Sequence, residues 1–244
     1  MSETGGTLGI FGGTFDPPHI AHLRLAIEAR EALALAQIVF VPAGSPPLRD
    51  VPQAAPRDRL AMVERAIADL PYCHVDAGEI FADGPSYTVL TLERLRRQHG
   101  AQRSLVLLLG ADAFVRLPAW HRWRELFALA HVGVATRPGQ TTLPRKVGAG
   151  GTAASAWETE LASEYATRLG HAADLAQKPA GRIVPFDITA LDISATLIRQ
   201  RLADHVRRMR RGRRVRGCLG KQPQDIPARA VTSDQLSLRL LQHA

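Results

Sequence analysis

Two hydrophobic patterns alternate along most of the chain. Short, uninterrupted apolar runs are typical of strands buried on both faces of a sheet, and they predict strands at 7–11, 36–42, 74–76, 104–109, 132–136 and 182–186. Between them, apolar residues recur at helical spacing, which predicts helices at 18–35, 57–70, 86–99, 111–129 with a break at Pro118, 154–169, and one starting at Ser194.

The alternation of strands and helices predicts the fold class. Strands that are separated by helices at this spacing favour an α/β fold, a doubly wound parallel sheet with right-handed crossovers and helices on both faces. Ligands of such sheets bind at the carboxyl ends of the strands. The stretch 140–181 contains a Gly/Ala-rich loop and one predicted helix, and we interpret it as an insertion without visible chemistry.

Length and composition limit the class of protein. With 244 residues, 45% of them hydrophobic and 22% charged, the chain fits one globular domain, predicted at 1–205, followed by a tail at 206–244. No apolar run is long enough to span a bilayer and the N-terminus does not read as a signal peptide, so we expect a cytoplasmic protein. Cys73 and Cys218 indicate neither a disulfide framework nor a zinc site.

The positive charge is concentrated in one stretch. The chain has a net charge of +8 and a pI near 10.4. Nine arginines and one acid lie between Arg199 and Arg216. The net charge of this stretch therefore equals that of the whole chain, and the positive and negative charges of the main body cancel. The run predicts a solvated, poorly ordered tail. A different class of function, a basic module that binds RNA or another polyanion, stays open for it, although no aromatic residues are interleaved.

The turn after the first strand carries the candidate chemistry. Gly12 and Gly13 end the strand, and 16–18 (Asp-Pro-Pro) is suited to start a helix. His19 and His22 then lie one turn apart. The unpaired N–H groups of a helix N-terminus favour a phosphate, and glycines let the backbone approach it. This pattern predicts stabilisation of a transferring phosphoryl group.

The histidine pair and the glycine turn allow other interpretations. Two histidines at this spacing could lie on an exposed helix face, or bind a metal, but no third cluster of metal ligands stands out. Neither the G-x-x-x-x-G-K-[ST] loop nor the G-x-G-x-x-G fingerprint is present, which argues against a P-loop enzyme and against a dehydrogenase.

The segment 12–22 resembles the first signature of the H-x-G-H nucleotidyltransferase superfamily, and 193–199 (I-S-A-T-L-I-R) resembles its second, I-S-x-T-x-x-R. Within that superfamily the chain is similar to the bacterial nicotinate-nucleotide adenylyltransferases in segments 42–47, 85–88, 110–113, 117–123 and 135–139. The resemblance implies a Rossmann-like nucleotidyltransferase fold. It also implies that ATP, with Mg²⁺, and nicotinate mononucleotide are converted to deamido-NAD and pyrophosphate.

The resemblance also implies a set of site residues. The catalytic group would be His19, His22 and Arg199. The ATP-binding group would be Gly12, Gly13, Thr14, Phe15, Asp112, Arg137, Ser194 and Thr196, and the acceptor-binding group would be Arg49, Ser86, Tyr87, Thr88 and Trp120.

Individual roles follow from the same resemblance. Thr88 would meet the nicotinate carboxylate, Asp112 a ribose hydroxyl or the neighbouring phosphate, and Arg137 would border the adenine pocket. Trp120 would stack on the pyridine ring, whereas Trp123 is expected in the core. No protein side chain is predicted to bind the metal.

The chain departs from the family pattern at several positions. Ala21 replaces a glycine, Leu48 and Arg49 stand where His-Lys is common, and Leu90 occupies an often acidic position. The tail lacks the usual closing helix of the family. Nicotinamide mononucleotide and phosphopantetheine therefore stay open as alternative acceptors.

Overall fold

A computed structural model describes residues 5–48, 50–137 and 156–217, and for 156–158 and 210–217 it describes the backbone only. Arg49, predicted to bind the acceptor, lies outside the described residues. The described chain divides into two compact units between Gln200 and Arg201.

The first unit is built on a parallel sheet of six strands in the order β3-β2-β1-β4-β5-β6. The strands are β1 Leu8–Gly13, β2 Gln37–Pro42, β3 Cys73–Val75, β4 Leu105–Gly110, β5 His131–Thr136 and β6 Ile183–Asp187. Each strand pairs in parallel with its neighbours in this order. The predicted doubly wound parallel sheet is therefore confirmed.

Helices connect the strands as the hydrophobic periodicity predicts. They are α1 Ile20–Ala32, α2 Pro56–Ala66, α3 Thr88–His99, α4 Ala111–Phe114, α5 Leu126–Leu129, α6 Ala156–Arg168 and α7 Ala195–Gly217. Two of the helix ends have a clear local cause. Pro56 begins α2 at a position where a missing N–H costs nothing, and α3 ends at Gly100, whose φ of 84° favours glycine.

The sheet is covered on both faces, as predicted. Alternate residues of β4 point to opposite sides, with Leu107 in the core that α3 and α5 cover and Leu108 in the core that α1 and α2 cover. All five residues from Leu105 to Leu109 are buried, which explains why this strand has an uninterrupted apolar sequence.

The segment 111–129 differs from the single interrupted helix that was predicted. Only α4 and α5 are α-helical, and between them lie two short 3-10 turns, Leu117–Ala119 and Trp123–Glu125. Pro118 cannot donate a helical hydrogen bond, and Arg122 adopts a left-handed φ of 52°. A further 3-10 turn at Ala172–Ala176 was not predicted.

The second unit begins within α7. Its described part, 201–217, has a helical backbone, and the side chains of 201–209 are exposed. The proposed boundary at residue 205, the poor order of the tail and its polyanion binding stay predictions, and the tail beyond Gly217 lies outside the described residues. No helix in the described ranges is long and apolar enough to cross a membrane.

Candidate active site

Four of the predicted ATP-binding residues lie at the carboxyl edge of the sheet. The strand order reverses between β1 and β4, and the crevice at such a point is where doubly wound sheets bind ligands. Gly12 and Gly13 end β1, Asp112 lies in the first turn after β4, and Arg137 directly follows β5. The fold therefore brings together residues that are up to 125 positions apart in the sequence.

The turn after β1 is packed around a buried aromatic ring. Phe15 has a left-handed φ of 50° and is only 2% exposed. Its ring lies edge-on to Phe11, with the centroids 5.6 Å apart. A Cβ on Gly13 would lie 2.8 Å from the Phe15 ring, so a glycine is required there. Phe15, predicted as an ATP-binding residue, packs inside the protein and supports the turn after β1.

His19 and His22 form a stacked pair at the start of α1. Their ring centroids are 3.8 Å apart, with 29° between the planes. The backbone N–H of His19 donates to Nδ1 of His22 over 3.1 Å. Because that nitrogen accepts, a neutral His22 carries its proton on Nε2, which makes Nε2 the donor of the ring.

The two histidines are held in the neutral state. Burial lowers the pKa of His22 to about 3, and the neighbouring His19 acts in the same direction. Burial also lowers the pKa of His19. The Nδ1 atom of His19 is buried and has no hydrogen-bond partner within the described ranges. An unpaired buried nitrogen of this kind points to a ligand atom that satisfies it.

The start of α7 supplies the second predicted phosphate site. The Ser194 hydroxyl accepts the N–H of Leu197 over 3.2 Å, so Ser194 caps the helix. The Arg199 guanidinium donates to the Thr196 hydroxyl over 3.3 Å.

Arg199 also reaches the β1–α1 turn. It donates to the backbone carbonyl of Asp16 and lies 3.8 Å from the Asp16 carboxylate. Arg199 thus links the start of α7 to the turn that precedes α1.

The segment that leads into α7 is anchored to α1. The Glu28 carboxylate accepts the backbone N–H of Thr189 over 2.7 Å and its hydroxyl over 2.6 Å. Glu28 also lies within 3.7 Å of Arg24 on the same helix. These two bonds hold the segment between Thr189 and Ser194 beside α1, the helix at whose start the two histidines lie.

The predicted acceptor residues lie at the start of α3 and after α4. Thr88 is the first residue of α3, and no described residue forms a hydrogen bond with its side chain. The Tyr87 ring lies against His121, with the centroids 4.4 Å apart. Trp120 is half-buried against the apolar core, whereas Trp123 is 6% exposed within it, as expected from the sequence.

Ser86 is engaged within the protein. Its hydroxyl oxygen accepts the N–H groups of Gly44 and Ser45 over 2.9 and 3.0 Å, and it also hydrogen-bonds to the Glu79 carboxylate. A hydroxyl has two lone pairs and one proton. All of them are used, so nothing is left on Ser86 for an acceptor molecule.

Asp112 and Arg137 are both exposed at the strand ends. Within the described ranges, Arg137 forms no ion pair. Neither position contradicts the predicted contacts to the ribose and to the adenine, and both roles stay predictions. The described residues include no group of three or more His, Cys, Asp or Glu side chains that could hold a metal ion.

Arg59 was not among the predicted site residues. It lies on α2 and is fully buried. Its guanidinium donates to the backbone carbonyls of Thr14, Gly44 and Ala54. A signal for it did exist, since Arg59 precedes the buried Val63 and Ile67 at four-residue spacing and so belongs to the inward face of the helix.

Comparison with known proteins identifies one family and relatives that share one name. Residues 10–201 match the profile of the cytidylyltransferase-like family. Two curated relatives carry the name probable nicotinate-nucleotide adenylyltransferase. The one from Dechloromonas aromatica is 50% identical over 207 residues, 84% of this chain and 89% of its own. The one from Halorhodospira halophila is 47% identical over 199 residues, 81% and 84% of the two chains.

A solved structure supports the fold alone. The nicotinic acid mononucleotide adenylyltransferase of Plasmodium falciparum, in complex with NaAD, superimposes with a TM-score of 0.53 at 13% sequence identity. The match covers 80% of this chain and 83% of that one.

Proposed function

We infer that this chain, which belongs to the cytidylyltransferase-like family and within it to the nicotinate-nucleotide adenylyltransferases, transfers the adenylyl group of ATP to nicotinate mononucleotide. The products are deamido-NAD and pyrophosphate, an NAD-biosynthetic reaction. The observation that supports the inference is the bond from Arg199 of α7 to Asp16 in the turn after β1, because it holds the two segments that we assign to the ATP phosphates next to each other.

The reaction requires positioning more than activation. The 5′-phosphate of the mononucleotide is anionic near neutral pH, so it is already a nucleophile. It attacks the α-phosphorus of ATP in line, the bond from that phosphorus to the bridging oxygen breaks, and pyrophosphate leaves. No covalent enzyme intermediate is required. The task left to the protein is to align the two phosphates and to stabilise the charge that develops.

His22 and Arg199 are the residues to which we assign this stabilisation. The neutral His22 donates from Nε2 to a phosphate oxygen, and its Nδ1 bond to the backbone holds the ring in that orientation. Arg199 adds a forked cation for the departing pyrophosphate. The substrate would bring Mg²⁺ bound to its phosphates, which neutralises charge on their oxygens.

The remaining assignments concern the two nucleosides. We assign the nicotinate carboxylate to Thr88 and the backbone around it, because its hydroxyl is not used within the described protein. Trp120 is assigned to the pyridine ring. On the ATP side, we assign Asp112 to the ribose and Arg137 to the adenine pocket, since they follow β4 and β5 at the edge where Gly13 ends β1.

The acceptor is tested by measuring pyrophosphate release with three acceptors in parallel. Nicotinate mononucleotide is expected to give a kcat/KM at least about tenfold above nicotinamide mononucleotide, because losing one charge-assisted hydrogen bond is worth about 1.5–3 kcal/mol. Phosphopantetheine has no pyridine ring and should give no signal above background. A higher kcat/KM for nicotinamide mononucleotide would overturn the assignment of the acceptor.

The buried His22 makes the free energy of unfolding depend on pH. Its pKa is about 3 in the folded chain and about 6.5 when unfolded, so only the unfolded state binds its proton between these values. The stabilisation is complete above about pH 6.5 and is lost as the pH falls towards 3. At about pH 5 the loss due to His22 should be about 2 kcal/mol.

Urea unfolding at about pH 7.5 and about pH 5 checks this pH dependence. The His22→Asn variant, whose amide oxygen can still accept the His19 N–H, should lose less stability between the two pH values than the wild type. His74→Asn, at an exposed histidine, should retain the wild-type loss. Equal losses in all three proteins would show that His22 is not held neutral.

A further inference from the structure

Arg59, on α2, ties two separate loops together through three backbone carbonyls. Its guanidinium donates to the carbonyl oxygens of Thr14 over 2.7 Å, Gly44 over 3.1 Å and Ala54 over 3.3 Å. Thr14 belongs to the turn between β1 and α1, whereas Gly44 and Ala54 lie in the loop between β2 and α2. A fully buried arginine is costly unless it is hydrogen-bonded, and here each of the three guanidinium nitrogens donates to a backbone carbonyl.

The peptide groups of Gly44 are held from both sides. Its N–H donates to the Ser86 hydroxyl over 2.9 Å, and its carbonyl accepts from Arg59. A Cβ at this position would lie 2.0 Å from the backbone oxygen of Glu79, so the loop is pressed against the segment that precedes Ser86. Gly44 therefore couples the position of Ser86 to the position of Arg59.

Glu79 fixes the end of this connection at Ser86. Its carboxylate accepts the Thr91 hydroxyl over 2.5 Å and also bonds to Ser86. Burial raises the pKa of the Glu79 carboxyl, although both hydroxyl bonds act in the opposite direction. Since Thr91 lies on α3, the start of the helix that carries Thr88 is joined to the same network.

Asp16 fixes the other end. Its carboxylate accepts the N–H groups of Gln53 and Ala54 over 2.7 and 3.2 Å, and its backbone carbonyl accepts from Arg199. A continuous series of hydrogen bonds thus runs from Ser86 through Arg59 to Arg199. It joins the segment assigned to the acceptor with both helix N-termini assigned to ATP.

We propose that Arg59 is a positioning residue that sets the separation between the acceptor subsite and the ATP subsite, so that the acceptor phosphate meets the α-phosphorus in line. This proposal rests on the proposed function. Arg59 itself touches neither substrate; it acts through Thr14 and Gly44. Misplacement by about 1 Å from a change outside the reacting groups can lower a rate about a hundredfold, so the geometry that Arg59 holds matters for turnover.

The variant Arg59→Lys tests the proposal, because lysine keeps the charge but not the forked geometry that reaches three carbonyls. We expect kcat to fall at least about tenfold, while the dissociation constants of ATP alone and of nicotinate mononucleotide alone stay within about twofold. Deamido-NAD occupies both subsites at once. Its affinity should therefore fall more than the affinity of ATP or of nicotinate mononucleotide, because the variant no longer holds the two subsites at a fixed separation. Arg57→Lys, at an exposed arginine of α2, is the matched control and should behave as the wild type.

A second variant covers the case in which Arg59→Lys does not fold. Ser86→Ala removes the bonds to Gly44 and Ser45 at the other end of the series, and it should give the same pattern, with kcat and deamido-NAD affinity lowered and nicotinate mononucleotide affinity kept. A folded variant with unchanged kcat, or one in which all three ligands lose affinity equally, would overturn the proposal. If the wild type does not transfer to nicotinate mononucleotide at all, it is the proposed function that fails instead.

Discussion

Replacing His22 with alanine is expected to reduce kcat at least about a thousandfold. The change removes the Nε2 donor that we assign to the transferring phosphoryl group. It also leaves the backbone N–H of His19 without its acceptor, which loosens the start of α1. Removal of one such pre-organised donor costs about a hundredfold to a thousandfold in other enzymes, and the loosened helix start adds to that. Pyrophosphate release under saturating substrates measures the effect.

Two further variants make the His22 result specific. His22→Asn keeps an acceptor for the His19 N–H and a donor on the same side chain, so its kcat should lie between those of the alanine variant and the wild type. His74→Asn should leave kcat unchanged, because His74 lies on β3, where its ring contacts Gln37. Near-normal turnover by a folded His22→Ala protein would exclude His22 from the reaction.

Replacing Arg199 with alanine is expected to reduce kcat about a hundredfold or more. Arg199 is the cation that joins Thr196 on α7 to Asp16 in the turn after β1. Its loss removes charge from the position of the departing pyrophosphate and separates the two helix N-termini. Arg199→Lys should recover only part of the rate, because an ammonium group cannot make the forked contacts of a guanidinium.

Arg201→Ala is the control for this experiment, since Arg201 is an exposed arginine on the same helix. Its kcat should stay within about twofold of the wild type, because exposed surface charges contribute little. Equal losses for Arg199→Ala and Arg201→Ala would mean that the general positive charge of α7 matters, and that the contacts of Arg199 do not.

The neutral histidine pair and the guanidinium of Arg199 together determine how turnover should depend on pH. A protonated His22 would be a stronger donor, but burial and the neighbouring His19 lower its pKa to about 3 and keep it neutral near physiological pH. We assign the positive charge that faces the phosphates to the guanidinium of Arg199. We therefore expect the pH dependence of turnover near neutrality to arise from the substrate phosphates, whose second ionisation lies near pH 6.

The hydrophobic pattern alone was sufficient to predict the fold class and most of the strands and helices. The run at 104–109 predicted a strand buried on both faces, and β4 at Leu105–Gly110 confirms it. The periodicity after Pro18 predicted α1 within a few residues of its bounds. These predictions succeed because strand and helix periods depend on neighbours along the chain. The segment 111–129 was the main exception, since the left-handed Arg122 interrupts it in addition to Pro118.

The sequence by itself also determined the parts of the site that are local. The Gly12-Gly13 strand end, the histidines one turn apart and the Ser194 cap follow from short-range geometry, and they lie where they were predicted. The prediction that 16–18 starts the helix was wrong: α1 begins at Ile20, and the Asp16 carboxylate accepts N–H groups of the loop before α2. Tertiary structure decided the rest. That Ser86 holds Gly44, that His22 donates from Nε2, and that Arg59 lies buried beneath two loops became visible only in the fold. The physical reason is range: the bond from Arg59 to Thr14 spans 45 residues and that from Arg199 to Asp16 spans 183, and no local pattern encodes which distant carbonyl an arginine will meet.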